Sequence, residues 1–355
     1  SDWMALMVLS YEADLNGITF TINNDTTTGE TSKYNYDLRS VKIGDETYSF
    51  LGIGMNSNNP FKGKLESNWA SMELTLNSPL FGYLDAEATF TTQSLTLKSD
   101  GVTSGVAQNL IFDGTKQFDL QECIPGKIVI SGTVNNPDGA AGGIFGKIEN
   151  KGNAQLVISS EFTNAVTCSG ITSVSGQTAG RMFGEVDGNV SIEASAAQIS
   201  NSCTVAGIGN DGTTVGQLIG KIDGTGNDKA KINITNIKSS GTGNLNYSVS
   251  NAQIAGGLIG SVNNADVTLG VEVSGTVNTA SMRNTIKTVN EDGLTCYAGG
   301  LIGGAINSSI ILNGNTDDAT LKATMTINVL NSNDSKEESA AGGIVGYMFD
   351  TSFTS

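Results

Sequence analysis

The chain has 355 residues, with 45 Gly, 4 Pro and no His, and its 19 Lys and Arg against 35 Asp and Glu leave a net charge of −16. Without His there is no Ser-His-Asp triad and no His-ligated zinc. The acidic balance opposes nucleic acid, whose phosphates must be neutralised by Lys and Arg. A hydrophobic content of 38% returns to the ordinary range once Gly is added, so a folded chain is expected rather than an acidic disordered tail.

In chain order, Ser1 to Tyr11 predicts a short capped helix. Ser1 or Asp2 can accept from the first-turn amides, and Trp3, Leu6, Met7 and Tyr11 fall on related faces. Its apolar run Met4 to Leu9 is too short to span a bilayer and lacks the basic flank of a signal peptide, so no membrane insertion is expected within this chain. Residues 1–78 read as an N-terminal cap with the first coils, and 79–355 as a repeat array.

The array is set by one recurring phrase. It appears as Gly142-Gly143-Ile144-Phe145-Gly146, then as Gly180-Arg181-Met182-Phe183-Gly184 and Gly216-Gln217-Leu218-Ile219-Gly220. Gly256-Gly257-Leu258-Ile259-Gly260, Gly299-Gly300-Leu301-Ile302-Gly303 and Gly342-Gly343-Ile344-Val345-Gly346 complete it, and Leu80-Phe81-Gly82 is a degenerate early copy. The repeat anchors are therefore Gly82, Gly146, Gly184, Gly220, Gly260, Gly303 and Gly346, at intervals of 64, 38, 36, 40, 43 and 43 residues. Fixed wording with drifting intervals is the mark of stacked strands joined by variable loops. The 64-residue interval holds an inserted loop or an extra layer.

Between anchors, period-two stretches such as Val267-Leu269-Val271-Val273 and Met325-Ile327-Val329 alternate with Asn, Asp, Gly, Ser and Thr turns. Helical periodicity is missing from residue 80 onward. Each unit reads as three short strands, which predicts an all-β, right-handed parallel β-helix with a helical N-terminal cap. A β-sandwich is the alternative, but it does not require one phrase near every fortieth residue. Glycine at the anchor is expected to supply positive φ at a tight corner. The last unit, from Gly346 to Ser355, holds one strand and reads as an incomplete coil.

Gly256-Gly257-Leu258-Ile259-Gly260 and Gly299-Gly300-Leu301-Ile302-Gly303 resemble the GLUG repeat of bacterial cell-surface β-helix proteins. The N-terminal part is similar to the opening of such proteins in Trp3, Ile18 to Ile22, Ile53-Gly54 and Pro60-Phe61-Lys62-Gly63. Their Asp-Gly-Asn-Gly-His turn is replaced by Glu66-Ser67-Asn68. The resemblance implies an exported, extracellular protein at a cell surface, often adhesive or structural.

Chemistry-bearing residues are sparse. Asp317-Asp318 and Glu337-Glu338 are adjacent carboxylates in loop-like stretches, and glycoside hydrolysis needs two carboxylates facing one another. Arg39, Arg181 and Arg283 are the only arginines, and Arg181 sits inside an anchor, where bonding a turn carbonyl or a carboxylate suits it best. Asp187-Gly188-Asn189 and Asp223-Gly224-Thr225-Gly226 follow successive anchors, with Asn263-Asn264 and Asn150 in similar places. Such turn oxygens suit calcium, although they are equally ordinary turn chemistry. No catalytic residue and no cofactor is expected, with calcium left open. Cys168 and Cys203, 35 residues apart, fall in neighbouring layers where a disulfide stays open beside the plainer reading of Cys123, Cys168, Cys203 and Cys296 as buried thiols. Thr26-Thr27-Thr28 raises ice binding, but no Thr grid recurs at a fixed offset.

Each anchor pairs two adjacent apolar residues, which on a regular strand face opposite sides. Phe145, Phe183, Ile219, Ile259, Ile302 and Val345 then form an outward interaction column, unless a local bend tucks both residues inward. The expected function is a non-enzymatic structural or adhesive module of a bacterial surface, associating with itself end to end or laterally, or with surface glycans or host proteins. The alternative is a carbohydrate-binding or polysaccharide-cleaving β-helix, for which Trp3 and Trp69 lie too close to the N-terminus to line a long groove.

Overall fold

The computed structural model describes residues 2–355 except 13–14, 16, 23–33, 68–70, 197–202, 209–211, 227, 240–244, 274–278, 290–294, 315–319 and 331–338. Strands dominate, and nearly all pair in parallel. Eight anchor strands form one sheet, from Phe81–Asp85 through Ala107–Phe112, Phe145–Asn150, Phe183–Asp187, Ile219–Asp223, Ile259–Asn263 and Ile302–Ile306 to Val345–Phe349. A second sheet has seven strands, from Phe118–Asp119 to Ser352–Thr354, and a third has thirteen. From Ala107–Phe112 onward, an anchor strand is followed by one in the seven-strand sheet, then by one or two in the thirteen-strand sheet, then by the next anchor. Each strand pairs with its counterpart one repeat away, as Phe145 with Phe183 and Phe183 with Ile219. The chain is therefore mostly β, in stacked layers of parallel strands.

The long early interval contains an extra layer. Ala107 pairs with both Phe81 and Phe145. Gln108 stands where the other layers have glycine, and its amide donates to the carbonyl of Ala140 at 3.1 Å. The third strand of a layer is longer than expected. Lys127–Gly142 and Val166–Gly180 run unbroken, whereas the next layer splits into Thr204–Gly207 and Thr214–Gly216. Two short helices were also not expected. Leu120–Cys123 is capped by the Asp119 carboxylate and Ser160–Ala165 by the Ser159 hydroxyl. Neither is long enough to repeat a 3.6-residue period, so periodicity could not reveal them.

The outward column is overturned. Phe145, Phe183, Ile219, Ile259 and Ile302 are 0% exposed, and Val345 packs partly buried against the same core. The preceding Ile144, Met182, Leu218, Leu258 and Leu301 are buried too. The reason is a bend. The backbone turns at Gly143-Ile144 and its equivalents before the anchor strand starts, so adjacent side chains both point inward. Hydrogen bonds between layers continue through the bend, from Ile144 N to Met182 O at 2.9 Å and Met182 N to Leu218 O at 2.9 Å. Phe145 and Phe183 stack with centroids 6.1 Å apart.

The role expected of the anchor glycines is also corrected. None of them has positive φ. They are required because backbones touch. A Cβ on Gly220 would overlap the carbonyl oxygen of Gly184, and one on Gly260 that of Gly220. A Cβ on Gly256 or Gly299, at the other end of the phrase, would overlap the carbonyl oxygen of Ile259 or Ile302. The corner between two sheets is therefore closed by backbone on backbone, leaving no room for a side chain.

The N-terminal helix Asp2–Leu9 buries Leu6, Met7 and Leu9 in the common core and exposes Met4 and Val8. Tyr11 is not on its buried face. It lies past the helix end, half exposed, and its hydroxyl donates to the carbonyl of Ser49 at 2.9 Å. Beside it is the only antiparallel pair among the named strands, Val41–Ile43 with Glu46–Tyr48. Of the described residues up to 78, Lys64–Ser67 joins a three-strand parallel sheet and Met72–Leu76 the thirteen-strand sheet.

Candidate functional site

The corner that leads from the anchor sheet into the seven-strand sheet repeats from the layer of Phe145–Asn150 onward. Asn264, Asn307 and Asp350 turn it with φ of 51°, 50° and 45°, and Gly188 with 98°. Asn and Asp tolerate this left-handed conformation better than other side chains. Asn150, Gly188, Gly224, Asn264, Asn307 and Asp350 all stand four residues after an anchor glycine. That offset was the signal in the sequence for a repeated corner. It also explains the stretches that resembled calcium turns.

Hydroxyls then complete the ladder where the backbone leaves the sheet. Ala265 N donates to Ser308 Oγ at 3.1 Å and Ser308 N to Thr351 Oγ1 at 3.3 Å. Asn264 donates to the carbonyl of Gly226 at 2.9 Å, and Asn150 to those of Ala154 and Asn189 at 2.8 and 2.6 Å. Asp223 accepts from the Asn263 amide at 2.8 Å. These oxygens and amides are engaged in turn bonding. Among the described residues no group of three or more Asp, Glu, Cys or His is placed to hold a metal.

Beside this corner lies an open groove of about 990 Å³ lined by Gly224, Lys229, Asn264, Asn307, Ser308, Asp350 and neighbours. It shares Lys229 with a second groove of about 350 Å³, which reaches Gln155, Asn189 and Asp228. That one shares Lys231 and Asp266 with a third of about 290 Å³, over Ser191, Glu193, Asn233 and Thr268. The three make one trough along the outer face of the seven-strand sheet. Its floor follows from register. Ser191, Lys231, Asp266 and Ser309 are paired in successive layers, and so are Glu193, Asn233, Thr268 and Ile311. Most of these side chains are short, so the sheet face lies low beside the corner. Lys229 is held by Asp266 at 3.2 Å.

The outer face of the anchor sheet is different, because its charges neutralise one another. Lys147 reaches Asp187 at 2.8 Å, Glu149 at 3.2 Å and Glu185 at 3.5 Å, and Lys221 reaches Asp223 at 3.4 Å. Partial burial opposes the Lys147 cation, but the hydrogen bond to Asp187 and the nearby carboxylates outweigh it and raise its pKa above the ordinary lysine range. Partial burial likewise pushes Glu149 up, yet hydrogen bonds from Lys151 and Lys147 win and hold it below the usual carboxylate range.

The remaining singled-out residues are structural or lie elsewhere. Arg181 is fully buried and donates to the carbonyls of Cys168 and Ser169 at 2.9 and 3.0 Å. Gln217, at the same place in the next phrase, donates to Cys203 O at 3.0 Å. Arg39 bridges Asp37 and Asp100 on the surface. All four cysteines are buried free thiols. Cys168 and Cys203 are therefore not bonded to each other, and the strand pairing of their layers begins after Cys203, at Thr204 with Ser173. Burial pushes the Cys203 thiol up to about 11. One register of Ser and Thr positions that the varying loop lengths hid does emerge: the backbones of Thr133, Ser173, Thr204, Ser248, Thr285 and Thr326 are paired in turn across six layers. Thr26-Thr27-Thr28, Trp69, Asp317-Asp318 and Glu337-Glu338 lie outside the described residues, as do the side chains of Trp3 and Arg283. No helix among the described residues is long and apolar enough to cross a membrane. A scan against protein-family models, a search of curated proteins and a search of solved structures each find no match to this chain.

Proposed function

We propose that the chain winds as a right-handed parallel β-helix and serves as a non-enzymatic structural or adhesive module at a bacterial surface, a stiff rod that associates end to end with copies of itself. The GLUG-like phrase supports the winding and the extracellular setting. Right-handedness follows the general preference of parallel β connections.

The observation that carries end-to-end association is where the exposed apolar side chains lie. Among the described residues fourteen large hydrophobic side chains are exposed, eight between Met4 and Met55, five between Ile306 and Phe353, and Val129 between the two groups. Val8 is 59% exposed and Phe349 60%. Exposed apolar surface marks an interaction site, and among the described residues it is gathered toward the two ends of the stack. The flanks are polar or internally neutralised.

Electron microscopy and light scattering over a range of protein concentrations test this reading. Filaments, or a mass that grows with concentration and falls back in Val8→Asp and Phe349→Asp variants, are expected. A monomer at every concentration would refute end-to-end assembly.

A further inference from the structure

We propose that the trough along the seven-strand sheet binds a neutral, extended polysaccharide chain lying along the stack, about one sugar unit per layer. This deepens the adhesive reading above and rests on it for the meeting with a surface glycan.

Three observations carry the inference. The first is spacing. The trough floor presents a hydrogen-bonding side chain at the same register in successive layers, as in Ser191, Lys231 and Asp266. Layers of a parallel sheet repeat at about 4.8 Å, close to the advance of one pyranose unit in an extended chain. The second is chemistry. Among the described residues the lining is hydroxyl, amide, carboxylate, ammonium and glycine, with the buried Ile232 and, toward the last layers, Ile311 as its apolar side chains. A protein partner would need buried aromatic or aliphatic anchors, and a lipid surface would need an apolar face. A chain of sugar hydroxyls needs donors and acceptors in alternation, which Asn233, Thr268 and the Lys229–Asp266 pair supply.

The third observation is charge. Lys229 is held by Asp266, which leaves Lys231 against Asp228, Glu193 and Asp350. The trough is acidic on balance, as is the whole chain at −16. A polyanionic glycan would be repelled, so the occupant is neutral. Among the described residues the lining has no Trp or Tyr, so binding is spread over many layers rather than centred on a stacked ring.

Affinity gel electrophoresis of the full chain tests this, with hydroxyethyl cellulose, galactomannan or polygalacturonate cast in the gel. Retardation by a neutral polymer is expected, together with none by polygalacturonate. The Asn233→Ala/Asp266→Ala double variant, at outward positions, is expected to bind about tenfold more weakly with an unchanged melting temperature. No retardation by either neutral polymer, retardation by polygalacturonate alone, or full binding by the folded double variant would overturn the inference. Light scattering on the same samples separates the two proposals. Assembly without glycan binding sinks only the trough, and glycan binding by a strict monomer sinks only the end-to-end rod.

Discussion

Two glycines of the same stack should respond in opposite ways to a single methyl group. At Gly260 a Cβ would overlap the Gly220 carbonyl oxygen and lie 2.8 Å from both Thr214 Cγ2 and the Val215 carbonyl carbon. Two of these three neighbours are backbone atoms in adjacent paired strands, so they cannot rotate aside. Relief requires layers to part. Overpacking typically costs about 1–3 kcal/mol, and the rigid neighbours place Gly260→Ala at the upper end. At Gly270 the nearest atoms, Ile234 O and Thr235 Cα, are 3.5 Å away, an ordinary contact, and φ is not positive. Gly270→Ala therefore keeps the native packing and restricts the unfolded chain, a gain of about 0.4–1 kcal/mol. Urea titrations followed by circular dichroism give both values. If Gly260→Ala is as stable as the parent, or if both variants shift alike, the backbone-contact account of the anchor is wrong.

Ile259→Asp would place a carboxylate among residues with no exposure, between Ile219 and Ile302 in the adjacent layers. A loss of more than about 4 kcal/mol or failure to fold is expected, and a folded variant of native stability would restore the outward column. The Lys147 cluster sets a pH dependence at both ends. Glu149 titrates below its unfolded value, near 4.3, so its contribution is present above that pH and lost as pH falls through the folded pKa. Lys147 titrates above its unfolded value, near 10.4, so its contribution is present below that pH and lost as pH rises through the folded pKa. Denaturation of parent and Lys147→Met from pH 3 to 11 checks this. The variant should lose the alkaline decline and part of the acid one, and parallel profiles would show that the cluster contributes nothing.

Much of the architecture is legible in the chain alone. The anchor phrase gave the layer interval, because strands that pair with a copy of themselves must repeat their wording while loops need not. Alternation around Val267, Leu269 and Val271 located strands, and isolated cysteines pointed to buried thiols. The corner was legible too, in the Asn, Asp or Gly four residues after each anchor glycine from Gly146 onward, although calcium chemistry uses the same residue types. The layer at Ala107 was one of two readings of the 64-residue interval and could not be located, because Gln108 replaces the glycine that marked the others.

Only the tertiary structure decided which way side chains face. Period-two reasoning assumes a straight strand, and the bend before Phe145 and its counterparts breaks that assumption, so two neighbouring apolar residues share one core. Only packing between layers shows that the anchor glycine answers to a carbonyl oxygen of the neighbouring layer rather than to its own dihedral. The trough is likewise invisible in one dimension. Ser191, Lys231 and Asp266 are brought together by register between layers, and loops of unequal length erase any fixed offset between them. Local sequence determines what each layer contains. The pairing of one layer with the next decides which of those residues meet.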